Sequence, residues 1–429
     1  MKEAKLDINQ ATTIISILYI NNAFFGFIKE KTILNVLCLL CMVLWIVLAS
    51  QEEGFLQNCF STCTPLIIYT VFLIVLFFFS GANMDSDLWT NLRNAFFSLI
   101  CSFLCLYILP QDETYKHNVF VFLLINILLG SVYTFYRIQE NPLLPRLLAM
   151  GSKSIAGNAR TAGVITYGGI YGMALVFPSL LYWISQKQGQ KKLVPIIITV
   201  ILIVIIYKAQ FAIAVFSTIA GIVLYLILYN GQSQYRYIVS GLFVVIVLIV
   251  MFNWDSILNA VYSANILPSA LQQKAHELLL YSENSNLSGT NLYSRSTYYV
   301  RTFEAIVKNN FIGKVFSDNA RGYGHSEWED MAANYGIIAP ILVCVFFHKF
   351  TKRISGYLKG NTIIVYRIQL FIFLIIGFVD PIFHSRTMSY LMLLSPLILT
   401  MYEVENKTTD SRSQNQNGAY LKNKPRYIR

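Results

Sequence analysis

Long apolar segments recur along most of this chain and are separated by short polar ones. Each is close to the roughly 20 residues with which an α-helix crosses the hydrocarbon core of a bilayer. Twelve such runs lie near 11–28, 32–49, 64–80, 92–110, 117–136, 162–184, 193–207, 210–229, 236–253, 332–348, 362–380 and 387–402. The pattern predicts an all-α polytopic membrane protein with about 12 transmembrane helices, of which those at 193–207 and 210–229 form a tight hairpin.

The composition excludes several other classes of protein. Of the 429 residues, 55% are hydrophobic and 13% are charged, whereas charged residues make up about a quarter of an ordinary soluble domain. The predicted spans occupy about 240 residues, which leaves no room for a large soluble catalytic domain. The seven cysteines lie mostly inside apolar runs, as is typical of buried small hydrophobes rather than of a disulfide set or a zinc site. We expect no metal and no other cofactor.

One polar segment is much longer than the other connections and divides the chain. The expected parts are transmembrane helices 1–9 in 1–253, a large extracytoplasmic loop with amphipathic helices in 254–331, transmembrane helices 10–12 in 332–402 and a disordered basic cytoplasmic tail in 403–429. The tail is assigned as disordered because it is polar and poor in apolar residues.

The distribution of Lys and Arg predicts the orientation in the membrane. With both termini placed inside, the inner segments hold 18 Lys and Arg and the short outer segments hold 9. Basic residues collect on cytoplasmic loops, and loops above roughly 60 residues are left out of the count. We therefore expect a multi-pass protein of the cytoplasmic (inner) membrane with both termini in the cytoplasm. The basic cytoplasmic segments then explain the net charge of +11 without any binding of nucleic acid.

The outer segment 137–160 departs from this charge rule. Its basic residues are Arg137, Arg146, Lys153 and Arg160, against the single acid Glu140. Cations on the outer side often meet an anion. An anionic substrate explains the pattern, and so do phospholipid headgroups or acids of the outer loop.

Two helices are predicted inside the segment 254–331. One begins at Pro268, which suits a first helical turn, and has an apolar stripe. The second extends from about Ser294 to Asn309. The residues that share one face of it, by their spacing, are Arg295, Tyr299, Thr302 and Ile306.

The segment 321–336 carries the most distinctive polar pattern. Ser326, followed three residues later by Glu329, is typical of a capping box, which would start the tenth span at the membrane face. The positive end of that helix would favour an anion and would lower the pKa of His325, leaving its ring neutral and able to accept a proton. Asp330 and Asn334 would continue a polar face. The alternative is that His325 and Ser326 only cap a helix.

These motifs resemble those of the Wzy-type polysaccharide polymerases and the related O-antigen ligases, which are multi-span proteins with one large outer loop late in the chain. The residues that carry the resemblance are Arg295 and Tyr299, Asn310 to Gly313, Gly324-His325-Ser326 with Asp330, Asn334-Tyr335-Gly336, and Gly157 to Gly163 around Arg160. Lys314 follows Gly313 where a second glycine is common in that family.

The resemblance implies polymerisation of undecaprenyl-diphosphate-linked oligosaccharide repeat units into a capsule, O-antigen or exopolysaccharide on the outer face of the membrane, by a metal-independent glycosyltransferase. Lipid-linked oligosaccharides would be donor and acceptor, with a chain-length regulator and a flippase as partners in the bilayer. The diphosphate would be bound by Arg160, Arg295 and Arg321, since Arg can hold a diphosphate bidentately; the choice of the essential one among Arg295, Arg301 and Arg321 stays open.

The base would be His325, with Asp330 orienting it or acting as the base itself. The supporting residues would be Tyr299, Ser326 and Glu329.

Other functions remain open from the sequence. An O-antigen-type ligase would share the motifs and differ only in its acceptor. A transporter or flippase would need ionisable residues inside the spans, which are nearly free of them. A glycosyltransferase using a polyprenyl-phosphate sugar could hold a metal at Asp85 and Asp87. His384 and Arg386 could face the same site as His325, but we expect them to be interface anchors.

Overall fold

A computed structural model of the chain describes residues 7–21, 32–79, 86–141, 144–149, 164–187, 189–229, 253–264, 269–282, 291–314, 322, 324–358, 360 and 362–401. All regular structure in these ranges is helical. The amino-terminal helices are α1 (Ile8–Asn21), α2 (Thr32–Ser50), α3 (Phe55–Phe79), α4 (Ser86–Ile108), α5 (Glu113–Glu140) and α6 (Leu144–Ala149). The next are α7 (Tyr167–Gln186), α8 (Leu193–Lys208, after a 3-10 turn at Gly189–Lys192) and α9 (Ala212–Tyr229).

The second half contains shorter helices. They are α10 (Trp254–Ser263), α11 (Ser269–Ser282), α12 (Asn291–Lys308), α13 (Glu327–Tyr335), α14 (Ile338–Ile354), α15 (Thr362–Val379) and α16 (Ser385–Ser389), which continues through a π-helical turn at Tyr390–Leu394. The chain then stays helical over 395–401. The predicted helices α11 and α12 are confirmed, whereas α10 was not predicted.

Eight helical segments in the described ranges are long and apolar enough to cross a membrane. They are Thr32–Ser50, Phe55–Phe79, Leu88–Ile108, Glu113–Glu140, Tyr167–Gln186, Gly189–Lys208, Ala212–Tyr229 and Thr362–Val379. The prediction of an all-α, multi-pass membrane protein is confirmed by them. A break at Gln210, whose φ is 60°, separates α8 from α9. Both helices pack mainly on α7 rather than along each other, so of the predicted tight hairpin only the short connection is present.

The other four predicted spans have different outcomes. The first is helical from Ile8 to Asn21, and its remaining residues lie outside the described ranges. The ninth, at 236–253, lies outside them except for its last residue, and the tail at 403–429 lies wholly outside them. The tenth, 332–348, is wrong as a single helix. Gly336 divides it with a φ of 85°, a left-handed conformation in which α13 ends and after which α14 begins. The last, 387–402, is helical as far as the description reaches.

The buried core joins helices that are distant in the sequence. Helix α3 packs on α4 and α14, and α7 packs on α9 and α15. The Ser179 hydroxyl of α7 accepts a hydrogen bond from the side-chain amide of Gln369 of α15 (2.7 Å). A second hydrogen bond joins the hydroxyl groups of Ser179 and Ser395 (2.7 Å). Bonds of this kind hold helices together where water is excluded.

Candidate functional site

A cavity of about 1180 Å³ opens at one end of the helix bundle. It lies where α4, α7 and α9 begin and where α15 ends, and α11 and α12 border it. Its ionisable lining residues, tyrosines aside, are Arg93, Lys274, Arg295, Arg386, Glu277, Asp380, His325 and His384. Lys and Arg thus outnumber Asp and Glu along the described lining, so the cavity favours an anionic ligand.

Helix α12 brings Arg295 and Tyr299 to this cavity. Thr302 and Ile306 on the same face are buried, so the predicted grouping of the four residues on one side of α12 is confirmed. The Arg295 Nη1 donates to the Val379 carbonyl (3.1 Å), and the Tyr299 hydroxyl donates to the same oxygen (3.2 Å). These bonds hold α12 to the carboxyl end of α15.

Asp380 is the carboxylate of this part of the cavity. It is 5% exposed, its Oδ2 accepts a hydrogen bond from the Tyr171 hydroxyl (2.5 Å), and its Oδ1 lies 3.8 Å from Nη2 of Arg295. Burial raises the pKa of the carboxyl, and hydrogen bonds from Tyr167 and Tyr171 and the charge of Arg295 counter that rise. No role was predicted for Asp380 from the sequence, although an acid at the end of an apolar span indicates a functional residue.

His325 lies beside Arg295 with its ring stacked on Tyr298. The ring centroids are 4.5 Å apart and the planes differ by 15°. The pKa of His325 is lowered, first by burial and then by the charge of Arg295. The predicted direction is therefore confirmed, but its main causes are burial and Arg295, whereas the sequence pointed to the helix end.

The predicted cap at the start of α13 exists in a modified form. The Ser326 Oγ accepts from the Glu329 amide (3.4 Å), but the reciprocal bond runs from the Ser326 amide to Oδ2 of Asp330 (3.0 Å) rather than to Glu329. In the described chain, the buried Oε2 of Glu329 accepts no hydrogen bond. The shorter Asp side chain, one residue further along, meets the cap amide instead.

Three of the predicted site residues do not line the cavity. Ser326, Glu329 and Asp330 are not among its lining residues. Asn334 accepts from the Gly322 amide (2.9 Å), so the polar face predicted for Asp330 and Asn334 binds a loop of the same chain. A catalytic role for Asp330 stays a prediction.

The glycines of the sequence motifs form a backbone crossing. A Cβ on Gly313 would lie 2.4 Å from the Gly336 nitrogen, and a Cβ on Gly336 would lie 2.7 Å from the Ile312 carbonyl oxygen. Both glycines have positive φ, and the Ile337 amide donates to the Phe311 carbonyl (2.9 Å). These positions thus bind the end of α12 to the end of α13.

Glu327 is a buried residue for which no role was predicted from the sequence. Its Oε2 accepts from the backbone amides of Ile382 (2.9 Å) and Phe383 (2.8 Å). Burial raises its pKa to about 7, against the lowering effect of these two bonds. Glu327 thus holds the turn that follows Asp380.

That turn leads into α16, whose Arg386 is a second basic group at the cavity. Nη1 of Arg386 donates to the Thr166 hydroxyl (2.8 Å), and the Asn94 amide lies 3.3 Å from Nδ1 of His384. A Cβ on Gly168 would lie 2.9 Å from the Cβ of His384, so only glycine allows this approach. Both residues line the same cavity as His325, as one of the two alternatives from the sequence requires, and their role as interface anchors stays a prediction.

The remaining predicted residues are elsewhere. Arg160, Arg321 and the side chains of Asp85 and Asp87 lie outside what the structure describes, and Arg301 is exposed on α12 without lining the cavity. Within the described residues, no group of three or more His, Cys, Asp or Glu side chains could hold a metal ion.

Comparisons with protein-family models, with curated proteins and with solved structures find no match to this chain. The chemistry of the site therefore carries the functional argument alone. An imidazole with a lowered pKa, a buried carboxyl group and a guanidinium lie on the wall of a basic cavity, which suits proton transfer beside a bound anion.

Proposed function

We propose that this protein is a membrane glycosyltransferase that polymerises undecaprenyl-diphosphate-linked oligosaccharide repeat units into a surface polysaccharide. The observation that carries the proposal is the meeting of His325, Arg295 and Asp380 at one cavity. Two of these residues come from segments that resemble the Wzy-type family. The volume of about 1180 Å³ exceeds the roughly 300–1,000 Å³ of typical small-molecule sites, which suits the ends of two oligosaccharides.

In the proposed reaction, His325 accepts the proton of an acceptor hydroxyl. The hydroxyl oxygen attacks the anomeric carbon of the donor sugar, and the bond between that carbon and the diphosphate oxygen breaks. Undecaprenyl diphosphate leaves with the electron pair. The lowered pKa keeps the His325 ring neutral and ready for the proton.

Arg295 supplies positive charge near the leaving group. Asp380 and the Val379 carbonyl fix its position, and Asp380 also offers a negative charge to the protonated His325. Asp330 stays the alternative carboxylate for His325, and Arg160 and Arg321 stay candidates for further contacts with the diphosphate. Two lipid-anchored substrates held in one membrane plane would add the advantage of proximity.

The proposed topology agrees with the position of the cavity. We place twelve spans in an inner membrane, both termini in the cytoplasm and the segment 254–331 outside. The cavity draws on residues between Arg93 and Phe97, Thr166 and Tyr171, Gln210 and Phe216, and Val379 and Arg386. These groups lie in or next to short segments to which the Lys and Arg count assigns the outer face. A flippase would deliver the repeats there, and a chain-length regulator would limit the product.

The direct test uses the purified protein in nanodiscs with the lipid-linked repeat unit as donor and acceptor. We expect a ladder of polymers from the intact chain. His325→Ala and Arg295→Ala should lower the rate by about 100-fold or more, since general-base catalysis alone contributes roughly 10²–10⁴-fold. Arg301→Ala, an exposed change off the cavity, should stay within about twofold. Ladders of equal yield from all variants would contradict the proposed site.

A further inference from the structure

The cavity has a basic end that the proposed chemistry does not use. Arg93, His384 and Arg386 form it, and we keep the name basic end for these three residues. Helix α4 supplies Arg93, the turn after α15 supplies His384, and the start of α16 supplies Arg386. The charge of Arg295 faces Asp380 at 3.8 Å, whereas the charges of Arg93 and Arg386 act on His384.

We propose that the basic end binds the diphosphate headgroup of a polyprenyl lipid. The anion site itself rests on the geometry of the cavity, and the role of that lipid as a substrate rests on the proposed function. A diphosphate offers several acceptor oxygens, and two guanidinium groups can each bind it through paired N–H donors.

The surroundings hold His384 and Arg386 in place before any ligand arrives. Arg386 is fixed by Thr166 at 2.8 Å, and Asn94 contacts the His384 ring at 3.3 Å. Glu327 holds the preceding residues of the turn through the amides of Ile382 and Phe383. A fixed site loses little side-chain freedom on binding.

The electrostatics of the basic end favour an anion. Burial, together with the charges of Arg93 and Arg386, lowers the pKa of His384 to about 4. Burial and Arg93 likewise lower the pKa of Arg386 to about 10. Each of these basic groups disfavours the protonated form of the other. An anion bound between them would stabilise both protonated forms.

The neighbouring apolar wall indicates a lipid rather than a free phosphate. Phe97 is one helical turn after Arg93 on α4, and Phe211, Ile213 and Phe216 line the cavity from the start of α9. Phe216 is 63% exposed on a helix able to cross the membrane. A polyprenyl chain could therefore leave the cavity along α9 into the bilayer while its headgroup stays at the basic end.

Binding measurements on the full chain in neutral-lipid nanodiscs test the inference without any transfer reaction. The probes are undecaprenyl diphosphate, undecaprenol, inorganic pyrophosphate and phosphatidylglycerol. We expect Arg93→Gln and Arg386→Gln each to weaken undecaprenyl diphosphate binding by about tenfold or more, since a bond to a charged group contributes roughly 1.5–3 kcal/mol. Arg386→Lys should restore part of the affinity. Undecaprenol binding should not change.

Arg353→Gln is the matched control. This arginine is exposed and bonds to Asn58, away from the cavity. Unchanged affinity in Arg93→Gln and Arg386→Gln, or an equal loss in Arg353→Gln, would overturn the inference. Pyrophosphate bound as tightly as the lipid would show a free-phosphate site instead, and phosphatidylglycerol bound equally well would show a general phospholipid site. If the variants lose the lipid but the intact chain makes no polymer, the proposed function fails and the lipid site stands.

Discussion

At the scale of single residues, the charges around His325 determine at which pH the protein should work. Burial and Arg295 lower the pKa of His325, and Asp330 and Asp380 oppose that effect. If His325 is the base, activity is lost only where the ring becomes protonated. The acid limb of kcat/KM should therefore lie below pH 6.5, the ordinary pKa of histidine.

Variants that remove one of these charges should shift the acid limb in a direction that can be tested. Arg295→Gln removes a positive charge, so the pKa of His325 rises and the acid limb of the remaining activity should move to higher pH. Asp380→Asn removes a negative charge and should move it to lower pH. Profiles of kcat/KM between pH 4.5 and 8 measure both shifts. An acid limb that stays in place in both variants would exclude His325 as the group that titrates.

At the scale of elements, the glycine crossing between α12 and α13 positions the site. Gly336→Ala combines a positive φ with a Cβ 2.7 Å from the Ile312 carbonyl oxygen. Gly54→Ala is the matched control, because Gly54 has a φ of +76° and nothing within 4 Å of its Cβ. We expect Gly336→Ala to lower the free energy of unfolding by roughly 1–3 kcal/mol more than the control does. Denaturant or thermal unfolding in detergent measures this difference. Equal losses of stability in the two variants would show that the backbone crossing accommodates the added Cβ without extra cost in free energy.

Glu327 makes the stability of the turn after α15 depend on pH. Because its pKa rises from 4.5 to about 7 in the folded chain, the folded chain holds a proton between these values that the unfolded chain has released. Stability should fall by roughly 3 kcal/mol as the pH rises through this window and then level off. Glu327→Gln keeps an oxygen for the two amides and should remove this decline in thermal unfolding curves.

The exposed Glu304 provides the comparison for that measurement, since Glu304→Gln should leave the pH dependence as it is in the intact chain. If the intact chain and Glu327→Gln show the same slope between pH 4.5 and 7, the buried carboxyl does not control the stability of the turn.

The sequence predicted elements better than their mutual arrangement. Apolar runs found the long helices, and helical spacing placed Arg295 and Tyr299 on one face, because both signals are local. Asp380 was missed as a site residue, and Arg386 was named only as an alternative, because they approach His325 and Arg93 only through contacts between helices distant in the chain. The cap by Asp330 was missed because Glu329 and Asp330 can both reach the Ser326 amide. Their spacing in the sequence does not decide which of them binds it.

At the scale of the whole molecule, orientation in the membrane is the testable quantity. In a Cys344→Ala background, which removes the exposed one of the seven cysteines, we expect Lys308→Cys to react with an impermeant maleimide in intact cells. Lys352→Cys should react only after the membrane is permeabilised. Both lysines are exposed, so access is decided by the side of the membrane. The reverse labelling pattern would invert the topology.

The measurement that tests the central claim most directly is the surface glycan profile of a strain lacking this protein. The strain is restored with the intact chain or with His325→Ala, whose presence in the membrane is checked by immunoblot. We expect single lipid-linked repeats without long chains, and a return of long chains only with the intact protein. Long chains left on the lipid would instead indicate a ligase. Repeats trapped on the inner face would indicate a flippase and would contradict both the reaction and the site.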